Sequence, residues 1–247
     1  MTRLLLLVLI ACAAHAEPLT IGETFTLRSA ILGEERRINV YSPPAASGPL
    51  PVLYMPDGGL AEDFLHVAGL VQVLSGNGTM RPFLLVGIEN TERRRDLTGP
   101  TEVADDRKIA PRVGGSAKFR AFLRDELMPE IARRHRITNE RAIVGESLAG
   151  LFVVETLLVE PELFDIYIAF DPSLWWNGGK LLDAKPPAKK TLYLATSDEK
   201  ELAATAERLA AALRKTMRVQ YEPMPQERHS TIYHPAALRA FRAVLAK

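Results

Sequence analysis

From Leu50 to the C-terminus, short apolar runs alternate with longer stretches of helical periodicity. This alternation restricts the fold more than any other feature of the chain. The runs are Val52–Met55, Phe83–Ile88, Ala142–Val144, Ile166–Phe170, Leu192–Thr196 and Val219–Glu222. Each is bounded by turn-forming residues and carries β-branched or aromatic side chains, the composition of a strand buried on both faces. The helical stretches are Ala61–Leu74, Ala117–His135, Leu148–Leu158, Glu199–Arg214 and Pro235–Ala246. In the second of these, Phe119, Phe122, Leu123, Leu127 and Ile131 fall on one face, charged residues fill the other, and Pro129 predicts a kink. Ahead of the alternation, Thr24–Leu32 and Arg36–Tyr41, joined through Gly33-Glu34-Glu35, predict a β-hairpin, and Pro43–Pro49 is a loop by composition. A hairpin followed by strand–helix repetition implies an α/β domain: one mostly parallel, eight-stranded sheet with helices on both faces. Asn90–Gly115 is the longest stretch without a regular pattern, and a loop that long in a compact domain usually carries function or moves.

Charge and cysteine content narrow the function classes. Lys+Arg total 31 against 30 Asp+Glu, a net charge of +1, so the chain lacks the positive field that drives nucleic-acid binding. The single cysteine, Cys12, excludes an intramolecular disulfide framework and a cysteine-based metal cluster. Residues Met1–Ala16 read as a secretory signal peptide: Arg3 supplies the positive end, Leu4–Ala11 an apolar run too short to span a bilayer, and Ala14-His15-Ala16 a small-x-small cleavage site. The mature domain is then 17–247, exported to the periplasm or secreted, with no later apolar stretch able to cross a membrane. Leu9-Ile10-Ala11-Cys12 offers a competing reading as a lipoprotein box, with Cys12 lipidated.

The segment Ala142-Ile143-Val144-Gly145-Glu146-Ser147-Leu148-Ala149-Gly150 passes from an apolar strand directly into a helix. A nucleophile elbow needs that layout. The turn is sharp and strained, small residues must stand two before and two after the serine, and the hydroxyl is thrust out at a helix N-terminus. The pattern is G-x-S-x-A rather than the strict G-x-S-x-G. A serine that merely caps an ordinary helix is the plainer alternative.

An activated serine requires a base, usually a histidine held by a carboxylate. Elbow enzymes run in the order Ser, acid, His, with the histidine in the loop after the last strand. His229 sits there; His234, beside Pro235, ranks second, and His66 and His135 read as surface or packing residues. The usual acid position follows Leu192–Thr196, which makes Asp198 and Glu199 the candidates, although acidic residues also favour the first turn of a helix. Asp171, past the preceding strand, is a further candidate. The Asp57-Gly58-Gly59 turn after Val52–Met55 and the N–H of Leu148 are the expected oxyanion donors. Of the adjacent Trp175 and Trp176, one can pack while the other lines a pocket.

Taken in order, these segments resemble the "Putative esterase" family of α/β-hydrolases, which includes the siderophore (enterochelin-type) esterases. The resemblance rests on Leu53-Tyr54-Met55-Pro56-Asp57-Gly58, Val86-Gly87-Ile88, Arg95-Asp96-Leu97-Thr98, Phe122–Pro129, Gly145–Phe152, Asp171–Trp176 and His229-Ser230-Thr231. It implies an α/β-hydrolase fold and cleavage of carboxylic esters through an acyl-enzyme, with siderophore-type esters as one substrate class. Ser147 would be the nucleophile, His229 the base and Glu199 or Asp198 the acid. Gly58, Gly59 and Leu148 would hold the oxyanion, and Trp175, Trp176 and Arg95 would meet a small-molecule ester. It implies no metal and no organic cofactor. The chain departs from the family at three places: Glu146 stands where His is frequent, Ala149 where Gly is frequent, and Asp171 where Ser is common. Arg93–Arg95 could attract an anionic substrate such as a ferric catecholate complex, although a solvated face is the simpler reading. Acyl transfer to a cell-envelope acceptor and non-catalytic binding on the same scaffold are the alternatives in function.

Overall fold

The structure, a computed structural model, describes residues 16–44, 48–183 and 189–246. The signal-peptide reading, its Cys12 alternative and the centre of the 43–49 loop lie outside these residues. The chain opens with the hairpin β1 (Glu23–Ser29) and β2 (Glu34–Tyr41), then β3 (Leu50–Pro56), α1 (Phe64–Gly76) and β4 (Leu84–Ile88). The short α2 (Arg93–Asp96) and a 3-10 turn (Asp106–Lys108) lie within the 90–115 stretch. They lead to α3 (Ser116–Phe122) and α4 (Met128–Arg134), joined by a π-helical turn at Leu123–Leu127. Then come β5 (Ile137–Glu146), α5 (Leu148–Val159), β6 (Ile166–Phe170), β7 (Thr191–Thr196), α6 (Lys200–Leu213), β8 (Arg218–Pro223) and α7 (Tyr233–Val244).

The strands form one sheet in the order β1-β2-β4-β3-β5-β6-β7-β8. The β1/β2 and β2/β4 pairs are antiparallel and all others parallel. This is the mostly parallel eight-stranded sheet that the alternation predicts, and its order agrees with the α/β-hydrolase fold that the resemblance implies. The hairpin turn falls at Ala30–Gly33, a little earlier than expected, because Gly33 takes a positive φ of 73° and donates its N–H to Ser29 O.

The strand sequences explain their places. β3, β4 and β6 are buried at every residue and sit in the middle of the sheet, whereas β1 and β8 show exposed positions and form its edges. Successive residues of β3 serve opposite faces. Val52 and Tyr54 pack with Phe119, Phe122, Phe152 and Leu209 beneath α3, α5 and α6. Leu53 and Met55 pack with Phe64, Val67, Ala240 and Phe241 beneath α1 and α7. Phe152 is wholly buried at the centre of the first layer, and its truncation to Ala would cost about 3–5 kcal/mol.

The kink expected at Pro129 takes a specific form. Pro129 has no N–H to offer a preceding carbonyl, and its ring displaces the turn before it. The helix absorbs this by widening to the π turn at Leu123–Leu127, and α4 restarts with Pro129 in its first turn.

Candidate active site

β5 ends at Glu146, and Ser147 follows with φ 58° and ψ −118°, a conformation that costs a non-glycine residue about 1–3 kcal/mol. Three backbone hydrogen bonds hold it. The Ser147 N–H donates to Phe170 O at 3.0 Å, and Ser147 O accepts from the N–H of Ser173 at 3.1 Å and of Leu151 at 2.9 Å. The small residues around it are required by contact. A Cβ on Gly145 would lie 2.7 Å from the backbone carbonyl of Ala149, and one on Gly150 would lie 3.0 Å from Phe170 O. Ala149, fully buried, fits the elbow where a larger side chain would strike the strand. The N–H of Leu148 is the first of α5 and has no intrahelical partner.

His229 comes from the loop after β8. Its Nε2 lies 3.1 Å from Ser147 Oγ and its Nδ1 lies 3.1 Å from Asp171 Oδ2. Asp171 is wholly buried, directly after β6, with φ 38°. Its N–H donates to Ala195 O, and its other carboxylate oxygen accepts the Ser197 N–H at 2.7 Å. Burial works to raise the Asp171 carboxyl, but the hydrogen bonds from His229 and Ser197 outweigh it and hold the group below its ordinary value. The hydrogen bond with Asp171 raises His229 above the ordinary histidine value; burial opposes the shift and Glu146 adds to it.

The carboxylate on the ring is thus Asp171, and the expectation of Asp198 or Glu199 is corrected. Both of those are exposed at the head of α6. Glu199 stands at the N-cap position of this helix, accepting the Ala203 N–H through its backbone carbonyl with no side-chain cap, and Asp198 uses its N–H to hold Glu227 O at 3.0 Å, bracing the His229 loop through the backbone alone. The β7 end therefore supports the acid through Ser197 instead of supplying it. The strand register decides it: Glu146 and Phe170 are partners of β5 and β6, so the next residues, Ser147 and Asp171, emerge side by side. His234 is elsewhere, with its Nδ1 3.3 Å from His66 Nδ1.

The expected oxyanion donors are also revised. The Gly58 N–H is spent on Ile88 O at 3.0 Å, and a Cβ on Gly58 would lie 2.3 Å from Gly87 Cα, so this glycine serves the close approach of the β3 loop to β4. The Gly59 N–H points to its own loop, donating to Glu62 Oε2 at 2.7 Å. Arg95 is spent as well: it pairs with Glu34 at 2.7 Å and Asp96 at 2.6 Å, away from the serine. Arg93, two residues before, clamps Asp57 of the β3 loop through two hydrogen bonds of 2.7 and 2.8 Å. The tryptophans divide. Trp176 is buried and donates Nε1–H to Gly99 O at 2.9 Å, while Trp175 is 48% exposed.

Glu146 was read from the sequence only as a departure from the family pattern. Its Oε1 lies 3.3 Å from His229 Nε2. Burial pushes its carboxyl up to about 7, against the opposing pull of His229 and Arg93. Among the described residues no group of three or more His, Cys, Asp or Glu side chains is placed to hold a metal ion, and no described helix is long and apolar enough to cross a membrane.

Comparison with known proteins agrees with this architecture. The chain is 35% identical over 153 residues to the ferri-bacillibactin esterase BesA of Bacillus subtilis, a match covering 55% of this chain and 52% of that one. It is 26% identical over 162 residues to the iron(III) salmochelin esterase of Escherichia coli, covering 63% and 36%. The chain thus spans about half or less of the length of these relatives. Among solved structures, the BES protein from Bacillus cereus superposes with a TM-score of 0.82 at 22% identity, covering 95% of this chain and all of that one. An IroE-like serine hydrolase from Shewanella oneidensis superposes with a TM-score of 0.80 at 26% identity, covering 91% and 80%. The family model described as "Putative esterase" matches residues 29–234. That span runs from the end of β1 to the head of α7 and holds the elbow, the Asp171 turn and the His229 loop, so the chain belongs to the "Putative esterase" family of α/β-hydrolases.

Proposed function

We propose that this chain is an exported serine hydrolase that cleaves carboxylic esters of the siderophore type through an acyl-enzyme. The observation that carries the reading is the continuous relay from Ser147 Oγ through His229 to the buried Asp171, with 3.1 Å at each step. In the reaction, Nε2 of His229 takes the Ser147 proton as Oγ attacks the ester carbonyl. Asp171 holds the Nδ1–H tautomer and balances the imidazolium. The Leu148 N–H receives the developing oxyanion. The imidazolium then protonates the leaving alkoxide, and water repeats the sequence to release the acid.

Two observations favour a siderophore-type ester. Both relatives described above are named for iron–siderophore esters. A cleft of about 550 Å³ beside α2 is lined by Arg93, Arg94, Arg95 and Arg112 with Glu92, a net positive lining even though Arg93, Arg95 and Arg112 each already hold a carboxylate. The leader read at Met1–Ala16 underlies export, with processing ahead of Glu17.

The test is hydrolysis of short-chain p-nitrophenyl esters by the processed protein, followed by iron-loaded catecholate trilactones. Ser147→Ala and His229→Ala should each lower kcat/KM by several orders of magnitude with folding intact. A fluorophosphonate should label the parent and not Ser147→Ala. Unchanged activity in Ser147→Ala would overturn the mechanism.

A further inference from the structure

His229 Nε2 has two neighbours and can serve one at a time. Ser147 Oγ stands at 3.1 Å and Glu146 Oε1 at 3.3 Å. The nitrogen carries either a lone pair, which can accept the serine proton, or a proton, which a carboxylate attracts more strongly than a hydroxyl does. Glu146 cannot drift far from this contact. It is fixed by the strained residue after it, and its side chain is only 16% exposed. We propose that Glu146 is a positioning residue that competes with Ser147 for the Nε2 edge of His229, giving the site a parked form, with the imidazole proton held on Glu146, and an engaged form, with the imidazole lone pair on Ser147.

The two forms differ by one proton. With a proton shared between Glu146 and Nε2, the serine has no base, whichever of the two groups formally carries it. Once that proton leaves to solvent, Nε2 faces Oγ with its lone pair. Ionised Glu146 then stands on one edge of the ring and Asp171 on the other. When the ring takes the Ser147 proton during attack, both carboxylates favour the imidazolium, and the same proton later goes to the leaving alkoxide. Glu146 neither gains nor loses a proton in that cycle.

The surroundings place the switch near neutral pH. Asp171 after β6, Asp57 after β3, Glu199 before α6 and Tyr233 of α7 face the pair, with Arg93 of α2 as the cation and Asp63 at the head of α1 behind Tyr233 and Arg93. Arg93 is committed to Asp57 by two hydrogen bonds, so it offsets the carboxylates only in part. Burial holds the Glu146 carboxyl near 7, and the Asp171 hydrogen bond lifts His229.

The catalytic consequence rests on the hydrolase reading, but the pairing does not, and the test separates them. The full chain is labelled with 15N-histidine, and the His229 ring is titrated by NMR in the parent, Glu146→Gln and Glu146→Asp. Glu146→Gln should lower the His229 midpoint by about one unit or more, the effect of removing an adjacent opposite charge. Glu146→Asp, which keeps the charge, should fall between Gln and the parent. The acid limb of kcat/KM for p-nitrophenyl acetate should move down with the NMR midpoint. A His229 midpoint that agrees across all three proteins would overturn the pairing. A shifted midpoint with no ester hydrolysis in any form would keep the pairing and defeat the hydrolase reading instead.

Discussion

Asp171 Oδ2 and His229 Nδ1 meet at 3.1 Å across 58 residues of chain, and the aspartate that makes this contact is wholly buried while the histidine ring is partly open to solvent. The contact exists because three strand ends converge. β5 delivers the serine, β6 delivers Asp171 on the next register position, and β7 supplies the Ser197 N–H that satisfies the second carboxylate oxygen. Asp171 therefore enters the site already desolvated and already hydrogen-bonded, which fixes the histidine tautomer without requiring the ring to be buried.

Asp171→Asn removes this charge while keeping the shape. It should lower kcat/KM for a p-nitrophenyl ester on the order of a thousandfold, because the amide no longer balances the imidazolium and no longer selects the Nδ1–H tautomer. Asp198→Asn and Glu199→Gln should remain within about threefold of the parent, since neither side chain bonds the ring and both lie in solvent. Steady-state kinetics of the three variants under identical conditions check the assignment. A large loss in Glu199→Gln with a small one in Asp171→Asn would reverse it.

The long 90–115 stretch is anchored by a buried cation, and this supplies a stability prediction. Arg36 of β2 is fully buried and pairs with Asp96 at 2.6 Å, Glu34 at 2.9 Å and Thr91 at 2.7 Å. Its guanidinium carbon lies 5.2 Å from the Phe119 ring centre and 5.9 Å from that of Phe122, and its Nε and Nη2, which have no hydrogen-bond acceptor, are buried alongside. Arg36→Ala strips Asp96 of one cation and opens a cavity over both rings. Urea unfolding should show a loss of about 3–5 kcal/mol. A loss below about 1 kcal/mol would mean that Arg95 alone satisfies Asp96.

Some of this was legible in the sequence, and the physical reason differs from element to element. The sheet could be read because central strands such as Leu84–Ile88 and Ile166–Phe170 are buried at every position and advertise it in composition. The meeting of Ser147 with His229 could be read because an elbow needs small residues at fixed offsets and the histidine follows the last strand. The acid could not be chosen from local pattern. Asp171, Asp198 and Glu199 all follow apolar strands, and the choice depends on the β5/β6 register and on a φ of 38° at Asp171. The Gly58-Gly59 turn misled for a similar reason: a glycine that admits a ligand and one that admits a neighbouring strand look alike until the hydrogen bonds to Ile88 and Glu62 are seen. Arg95 looked free because its partners, Glu34 and Asp96, include one that is sixty-one residues away.

The adjacent tryptophans separate packing from contact with ligands. Trp176→Phe leaves the Gly99 carbonyl without its buried donor and should cost about 1–3 kcal/mol, with a lower Tm. Trp175→Ala removes a half-exposed ring that contributes little to the core. Its Tm should stay within about 2 °C of the parent, and KM for an aromatic ester should rise severalfold. Thermal melts and Michaelis curves on the two variants give the comparison; equal losses of Tm would show that both rings are structural.

Two carboxyls of the site pull stability in opposite directions with pH. Asp171 is held below its ordinary value in the folded chain, so its contribution is present above the ordinary aspartate range and is lost as pH falls through the lowered value. Glu146 is lifted from 4.5 to about 7. The folded chain then binds the Glu146 proton more tightly than the unfolded one, and that contribution is present below about 4.5 and is lost as pH rises toward 7. Gln at position 146 resembles the protonated acid at all pH values. Glu146→Gln should therefore melt close to the parent at pH 4 and above it at pH 8, by on the order of 2 kcal/mol in unfolding free energy. Asp171→Asn should melt below the parent at pH 8, with the difference narrowing as the medium becomes acid. Calorimetry across pH 4–8 reads both trends. A Glu146→Gln protein less stable than the parent at pH 8 would mean that the ionised carboxylate gains more from His229 and Arg93 than burial takes away.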